Sequence, residues 1–396
     1  MPGPAPIYLD HNATTPIAPE VAAAMWPYVT EHFGNPSSDH PLGRAAKAAV
    51  DIAREQVARL IGARPDEVVF TSGGTEANNL AIGGTAAGAA TQIAVTTAVE
   101  HPATTAPLHR LVEGGWLIRD LPVDSECRVD PDDFPDGPVG LATVILAQNE
   151  VGTIQPVAAI ADSTHRAGGL VHADAAQAVG KVPVDVGTLG VDLLSIAGHK
   201  LYAPKGVGAL YVRRGTLITP LLVGAGQEAG VRPGTENVAG IVALGAACAL
   251  AGDLLASEPG RQEARREQLW TELAAGIPGL VRLSPRNGSL PNTLTVAVPG
   301  VLGADVLAAA PGIAASTGSA CHSGVHTPAQ TILAMGVEPT TALGAVRLTL
   351  GRSSTSTEMT AAAEQLVTAA RAGLGGATEP SAATGTSRIS ASAAKE

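Results

Sequence analysis

Val191-Asp-Leu-Leu-Ser-Ile-Ala-Gly-His-Lys200 reads as a buried strand that ends in a lysine. Its apolar run is short and lacks polar alternation, which predicts a strand covered on both faces. A second apolar run, Leu170-Val-His-Ala, ends at Asp174, twenty-six residues before the lysine. Further runs at 68–70, 93–95, 139–147 and 209–212 alternate with helical patterns. Between residues 42 and 61, Val50, Ala53, Val57 and Leu60 share one helical face, and Gly62 is placed to stop that helix. Such alternation predicts an α/β fold with a largely parallel sheet between helices.

Four of these strands end in polar clusters: Thr71-Ser-Gly-Gly-Thr-Glu76, Gln148-Asn-Glu150, Asp174-Ala-Ala-Gln177 and Gly198-His-Lys200. Open α/β sheets bind ligands beyond the carboxyl ends of their strands, so the clusters are predicted to converge on one site. Gly74 and Thr75 open a helix after a strand, a form suited to cradling a phosphate at the helix N-terminus. A desolvated lysine amine becomes a nucleophile toward carbonyls, and an aspartate can keep a pyridine nitrogen protonated. That pairing, Lys200 with Asp174, is what pyridoxal 5'-phosphate requires. Gln177 then reaches the phenolic oxygen, His101 stacks on the ring and exchanges protons, and His199 donates to the phosphate. Taken singly, these residues have plainer roles: a strand-end Asp as a helix cap, a lone His as a structural group, a glycine turn as a turn.

Composition limits the alternatives. Lys and Arg number 25 against 36 Asp and Glu, a net charge of −11 with no basic stripe, which argues against direct nucleic-acid binding. The three cysteines, Cys127, Cys248 and Cys321, are too widely spaced for a disulfide framework or a metal knuckle. No metal site is expected. A reducing, cytoplasmic setting and no membrane association are the expectations, since no leader-like or membrane-spanning apolar stretch stands out. The division expected is a large domain over 16–250, a small domain from 1–15 and 251–374 that carries Cys321, and a disordered Ser/Thr/Ala/Gly-rich tail over 375–396. Thr355-Ser-Thr-Glu358 is a capping box for the last helix.

Several segments, in order across residues 7 to about 370, resemble those of cysteine desulfurases of the class V aminotransferase family. They are Tyr8-Leu-Asp-His-Asn-Ala-Thr-Thr-Pro16, Phe33-Gly-Asn-Pro-Ser37, Thr71-Ser-Gly-Gly-Thr-Glu-Ala-Asn-Asn79, Glu100-His101, Asn149-Glu-Val-Gly152, His172-Ala-Asp174, Gly198-His-Lys200 and Gly224-Ala-Gly-Gln-Glu-Ala-Gly-Val-Arg-Pro-Gly-Thr235. The resemblance implies fold-type-I architecture: a mostly parallel seven-stranded sheet covered by helices, plus a smaller α+β domain. It also implies that Lys200 carries the cofactor as a Schiff base, and that the protein is a homodimer in which Thr235 reaches the phosphate held by the other subunit. Ala197 stands where many relatives place a phosphate-binding serine.

The resemblance assigns Cys321, in Ala315-Ser-Thr-Gly-Ser-Ala-Cys-His-Ser-Gly324, as the nucleophile that carries sulfur as a persulfide. Its small, polar flanks predict an exposed, mobile loop in place of a core strand. The spacing to Pro328 resembles the longer-loop branch, although Ala329-Gln330 replaces the Ser-His frequent there. Arg347 is expected to pair with a substrate α-carboxylate, with Asn35 and Asn149 orienting substrate and cofactor. Cys127 and Cys248 are expected to have no catalytic part.

The implied activity takes sulfur from L-cysteine, releases L-alanine and delivers the sulfur to an acceptor protein in iron–sulfur cluster, tRNA or thiocofactor synthesis. Lys200 moves the Cα proton and His101 relays a proton. Rival readings are a selenocysteine lyase, similar in its His322-Ser323, a catalytically idle sulfur-assembly scaffold, and an ordinary aminotransferase, which has no use for Cys321.

Overall fold

The computed structural model describes residues 5–317, 319–322 and 325–376, with side chains for all of these except 319–322, 325–326 and 375–376. Seven strands form the central sheet, in the order Val68–Thr71, Gly208–Val212, Leu193–Ala197, Leu170–Asp174, Leu141–Ile145, Ile93–Thr97, Leu117–Leu121. Gly208–Val212 runs antiparallel to both neighbours, and the remaining pairs are parallel. Every residue of Leu141–Ile145 and Leu193–Ala197 is buried, as expected for strands covered on both faces. The edge strand Leu117–Leu121 is mostly exposed and charged in part, so its sequence carries none of the apolar continuity that marks the others. Sequence reading missed it for that reason.

Helices pack on both faces. Pro41–Leu60 begins one residue earlier than expected, buries Val50, Ala53 and Val57, and packs with the helix Val238–Leu254. Gly62 follows with φ of +68°, a left-handed stop that L side chains rarely adopt. The main core gathers the inner faces of the sheet, this helix pair and the helix Val157–Arg166.

A second core centres on a four-stranded sheet in the order Ser316–Thr317, Ala345–Thr349, Thr293–Ala297, Val281–Arg282, backed by the helices Glu258–Gly276 and Ser356–Gly376. The Thr355–Glu358 capping box forms, with Thr355 Oγ1 accepting from the Glu358 N–H and Glu358 Oε2 accepting from the Thr355 N–H. The N-terminal stretch joins this second unit. Ile7–Tyr8 pairs with Ile313–Ala314, Asp10 bridges to Thr349, and Leu9 is buried in the second core. From there the chain crosses to the large sheet, which carries residues 10–15 over the end of the strand Leu193–Ala197.

Cys321 lies in an antiparallel hairpin, Ser319–His322 with Val325–Pro328, separate from both larger sheets. The segment expected to be a loop outside the core strands is thus a two-stranded ribbon. The Cys321 side chain and the tail over 377–396 lie outside the described residues. Among the described residues no single helix is long and apolar enough to cross a membrane.

Candidate active site

The carboxyl ends of the parallel strands open into a cavity of about 340 Å³. Gly74, Thr75, His101, Asn149, Asp174, Gln177, His199, Lys200 and Arg347 all line it, so the four polar clusters do meet. Sequence reading missed Asn12, Ala13 and Asn78, which also line it. Asn12 and Ala13 arrive on the crossing N-terminal stretch, which has no periodicity to read.

Lys200 sits in a single helical turn, Gly198–Lys200, directly after its strand. Its Nζ donates to the carbonyls of Asn12 at 2.5 Å and Ala13 at 2.8 Å. Burial, then the nearby Arg347 guanidinium, bring its pKa down to about 8, against the partial compensation of Asp10 and Asp174. A free amine is therefore within reach near neutral pH. Asp174, buried at the end of its strand, accepts from Asn78 Nδ2 at 2.7 Å and from the Ala176 N–H at 3.0 Å. It lines the cavity, and no helix follows it to be capped: its bond to the Ala176 N–H closes a turn.

His101 likewise does two things. Its Nδ1 accepts from the Ala103 N–H at 3.0 Å, capping the helix Pro102–Glu113, which leaves Nε2 to carry the proton of the neutral ring. Burial lowers its pKa, with Asp174 opposing and Lys200 assisting, so the ring is neutral at pH 7. Its neighbour Glu100 is buried, with its pKa raised to about 8 by burial. Glu100 Oε1 accepts from Thr97 Oγ1 and the Ile145 N–H. His199 Nδ1 lies 3.2 Å from Thr14 Oγ1, and burial followed by neighbouring lysines brings its pKa to about 4.

Arg347 projects from the middle of the small sheet, opposite Thr295 and Ser316. Its Nη2 donates to Asp10 Oδ1 at 2.8 Å and its Nη1 to the Asn149 carbonyl at 3.3 Å, while the buried Nε has no partner among the described residues. A planar guanidinium on a cavity wall is equipped for a carboxylate. On the hairpin side, Gln148 Nε2 donates to Thr331 Oγ1 at 3.1 Å, tying the large sheet to the chain that follows the Cys321 ribbon.

Asn35 is not brought to this cavity. It is exposed, and its Oδ1 accepts from the Ser37 N–H at 2.9 Å in a local turn, the ordinary fate of an Asn before Pro-Ser. Thr235 is also exposed and lines no part of the cavity of its own chain. Cys127 and Cys248 are fully buried with pKa values raised by burial, Cys248 to about 12, which keeps both as inert thiols.

The residues present suit pyridoxal phosphate. The helix Gly74–Ala86 begins at the cavity wall, where Gly74 and Thr75 line the same cavity as Lys200. Gly73 before it has φ of +152° and ψ of −177°, a conformation that only glycine adopts readily, with open space where a side chain would stand. A Cβ on Gly208 would come within 2.7 Å of the Gly73 Cα, so two glycines shape the anion cradle. Ala197 closes its floor with a methyl group in place of a hydroxyl.

Known proteins match this arrangement along most of its length. A cysteine desulfurase IscS of Dictyoglomus turgidum is 43% identical over 360 residues, 89% of this chain and 91% of the relative. Cysteine desulfurase NifS of Azotobacter vinelandii is 41% identical over 362 residues, covering 90% of each. Among solved structures, a NifS-like protein superposes with a TM-score of 0.86 at 34% identity over 92% of this chain and 98% of the other. One described as SspA in complex with cysteine gives 0.76 at 32% identity over 87% of this chain and 98% of the other. The family description "Aminotransferase class-V" matches residues 7–361, and with the Lys200 and Asp174 geometry in place the chain belongs to that family.

Proposed function

We infer that this protein is a pyridoxal-phosphate-dependent cysteine desulfurase. The observation that carries the reading is one cavity lined together by Lys200, whose amine has a pKa of about 8, by Asp174 and by the guanidinium of Arg347. Its relatives of 41 to 43% identity are named cysteine desulfurases.

Bound pyridoxal phosphate supplies a carbonyl for the substrate amine and a ring that draws electron density from the substrate Cα. Gly74, Thr75 and the start of their helix would hold its phosphate, Asp174 would pair with its ring nitrogen, and Gln177 would serve its phenolic oxygen. Arg347 binds the α-carboxylate of L-cysteine, exchanging Asp10 for it or sharing it. Lys200, once its amine is free, takes the Cα proton and returns a proton to the product. His101 holds a proton at Nε2 next to the reacting centre. The Cys321 thiolate attacks the substrate sulfur; the S–S bond forms as the C–S bond breaks, and the departing electron pair is taken up by a proton to give alanine. Cys321 is left as a persulfide for an acceptor protein.

A homodimer is part of this reading, with Thr235 reaching the partner's phosphate. In support, Trp26, Val29, Phe33 and Leu42 lie exposed on one stretch, and Leu217 and Val223 on another. A cytoplasmic setting and delivery to iron–sulfur or thiocofactor assembly complete the proposal. Mass spectrometry of the protein after L-cysteine addition tests it: a gain of one sulfur atom at Cys321 with release of alanine is expected. Alanine released with no label at Cys321, or at parental rate by Cys321→Ser, would overturn the thiol's role.

A further inference from the structure

Beside the cavity stands a second lysine that no step above uses. Lys181 lies one turn after Gln177, and its ammonium donates to Asn12 Oδ1 at 2.9 Å and Gln177 Oε1 at 2.5 Å. Its charged neighbours are cations, Lys200 and Arg347, and burial together with these two pushes its pKa well below the ordinary lysine value. A half-buried lysine in such company holds its charge unfavourably, and neither of its acceptors is a carboxylate that would offset this. Its role is therefore to be sought in what those two neutral acceptors are made to do.

Lys181 Nζ donates in both of these bonds, so Gln177 turns its oxygen toward Lys181. At the other end of the amide, Gln177 Nε2 donates to the Asn12 carbonyl at 2.9 Å. A reversed amide would set its NH₂ against the ammonium and its oxygen against that carbonyl. Both restraints act in one direction, and the second Nε2 hydrogen is what the side chain offers to the cavity it lines. Asn12 obeys the same logic. Its Oδ1 takes Lys181 and Asn292 Nδ2, so its Nδ2 faces Thr293 Oγ1 and the Asn149 carbonyl. The Asn12 carbonyl that receives Gln177 also receives Lys200.

The structure assigns Lys181 as a positioning residue: it fixes the polarity of the Gln177 amide so that the cavity meets an N–H donor, not a carbonyl oxygen, beside Lys200. That this donor serves the phenolic oxygen of pyridoxal phosphate rests on the functional reading above; the polarity itself does not.

The test begins with cofactor-free protein labelled with side-chain ¹⁵N-glutamine, the Gln177 signals being identified by their loss in Gln177→Glu. Lys181→Met keeps the stem and removes the donors. It should shift the Gln177 amide signals and speed their hydrogen exchange by about tenfold, the equivalent of one lost hydrogen bond. Lys181→Arg, which only donates, should restore the parental signals. Unchanged signals in folded Lys181→Met, or no restoration by Arg, would overturn the assignment. Should the Met variant not fold, Lys181→Gln, which both donates and accepts, should give two sets of Gln177 signals, and a single unshifted set would overturn it. After reconstitution, the pH midpoint of the visible cofactor band should rise by roughly one unit in Lys181→Met, because the phenolate loses a fixed donor and a nearby cation. An unmoved midpoint counts against the assignment. A parental protein that gains no visible band shows the cofactor reading to be wrong, while the exchange data still decide the amide.

Discussion

Lys200 and Arg347 act through different devices, one by giving up its charge easily and the other by the planar shape of its guanidinium. For Lys200 the folded pKa of about 8 lies below the ordinary 10.5, so the unfolded chain holds more protons between those values. Folding stability therefore rises with pH across that window, and the Lys200→Met apoprotein should show a shallower slope in denaturant titrations, with Lys181 supplying the remainder. Arg347→Lys should keep the charge but lose the planar fork, lowering kcat/KM for L-cysteine by about 10- to 100-fold, with KM carrying most of it. Steady-state kinetics decides between that and a pure kcat effect, which would place Arg347 away from the substrate carboxylate.

The roles of single residues were unevenly legible in the sequence. Lys200, Asp174 and His101 were readable because each ends a strand or opens a helix, and local pattern marks such places. Asn12 and Lys181 were not, since one lies on an irregular stretch and the other follows a turn. Their importance comes from hydrogen bonds between residues 165 to 280 positions apart. Asn35 shows the reverse: its motif was conspicuous, yet its side chain is occupied by its own turn.

Among the elements, the turn between Val68–Thr71 and Gly74–Ala86 carries the most demanding backbone. Gly73→Ala forces an L side chain into the conformation at φ of +152° and should destabilise the apoprotein by about 1–3 kcal/mol. It should also weaken pyridoxal phosphate binding, because relaxing the strain turns the cradle away from the anion. Parallel denaturation and cofactor titrations would show both losses, and a change in stability alone would mean that the turn is not the cradle.

The segment that carries Thr235 is braced from two sides. Glu228, itself at φ of +48°, pairs with both terminal nitrogens of Arg54 and accepts the Phe70 N–H, while Arg232 pairs with Glu76 on the cradle helix. A double-mutant cycle of Arg54→Ala and Glu228→Gln should give a coupling of about 0.5–3 kcal/mol. None of this was visible in the Gly-rich sequence, where the glycines masked the ion pairs that order the segment.

At the scale of the whole molecule, the mostly parallel, helix-covered sheet follows from the strand and helix pattern. The antiparallel Gly208–Val212 and the edge strand Leu117–Leu121 do not, since pairing direction and edge position are decided by crossovers, not by local composition. If Thr235 serves the partner's phosphate, complementation between chains should appear. Lys200→Ala and Thr235→Glu proteins, each inactive alone, should regain about a quarter of parental activity when unfolded together and reassembled, because half of the dimers then hold one intact site. No recovery in a mixture shown by sedimentation to be dimeric would place Thr235 in some other role.

The anion cradle at Gly73 and Gly74 also has a bearing on handling at the bench. A helix start that faces Lys200 and Arg347 does not distinguish a cofactor ester from inorganic phosphate or sulfate in a buffer. Cofactor-free protein kept in phosphate should take up pyridoxal phosphate more slowly than the same protein in a chloride buffer of equal ionic strength.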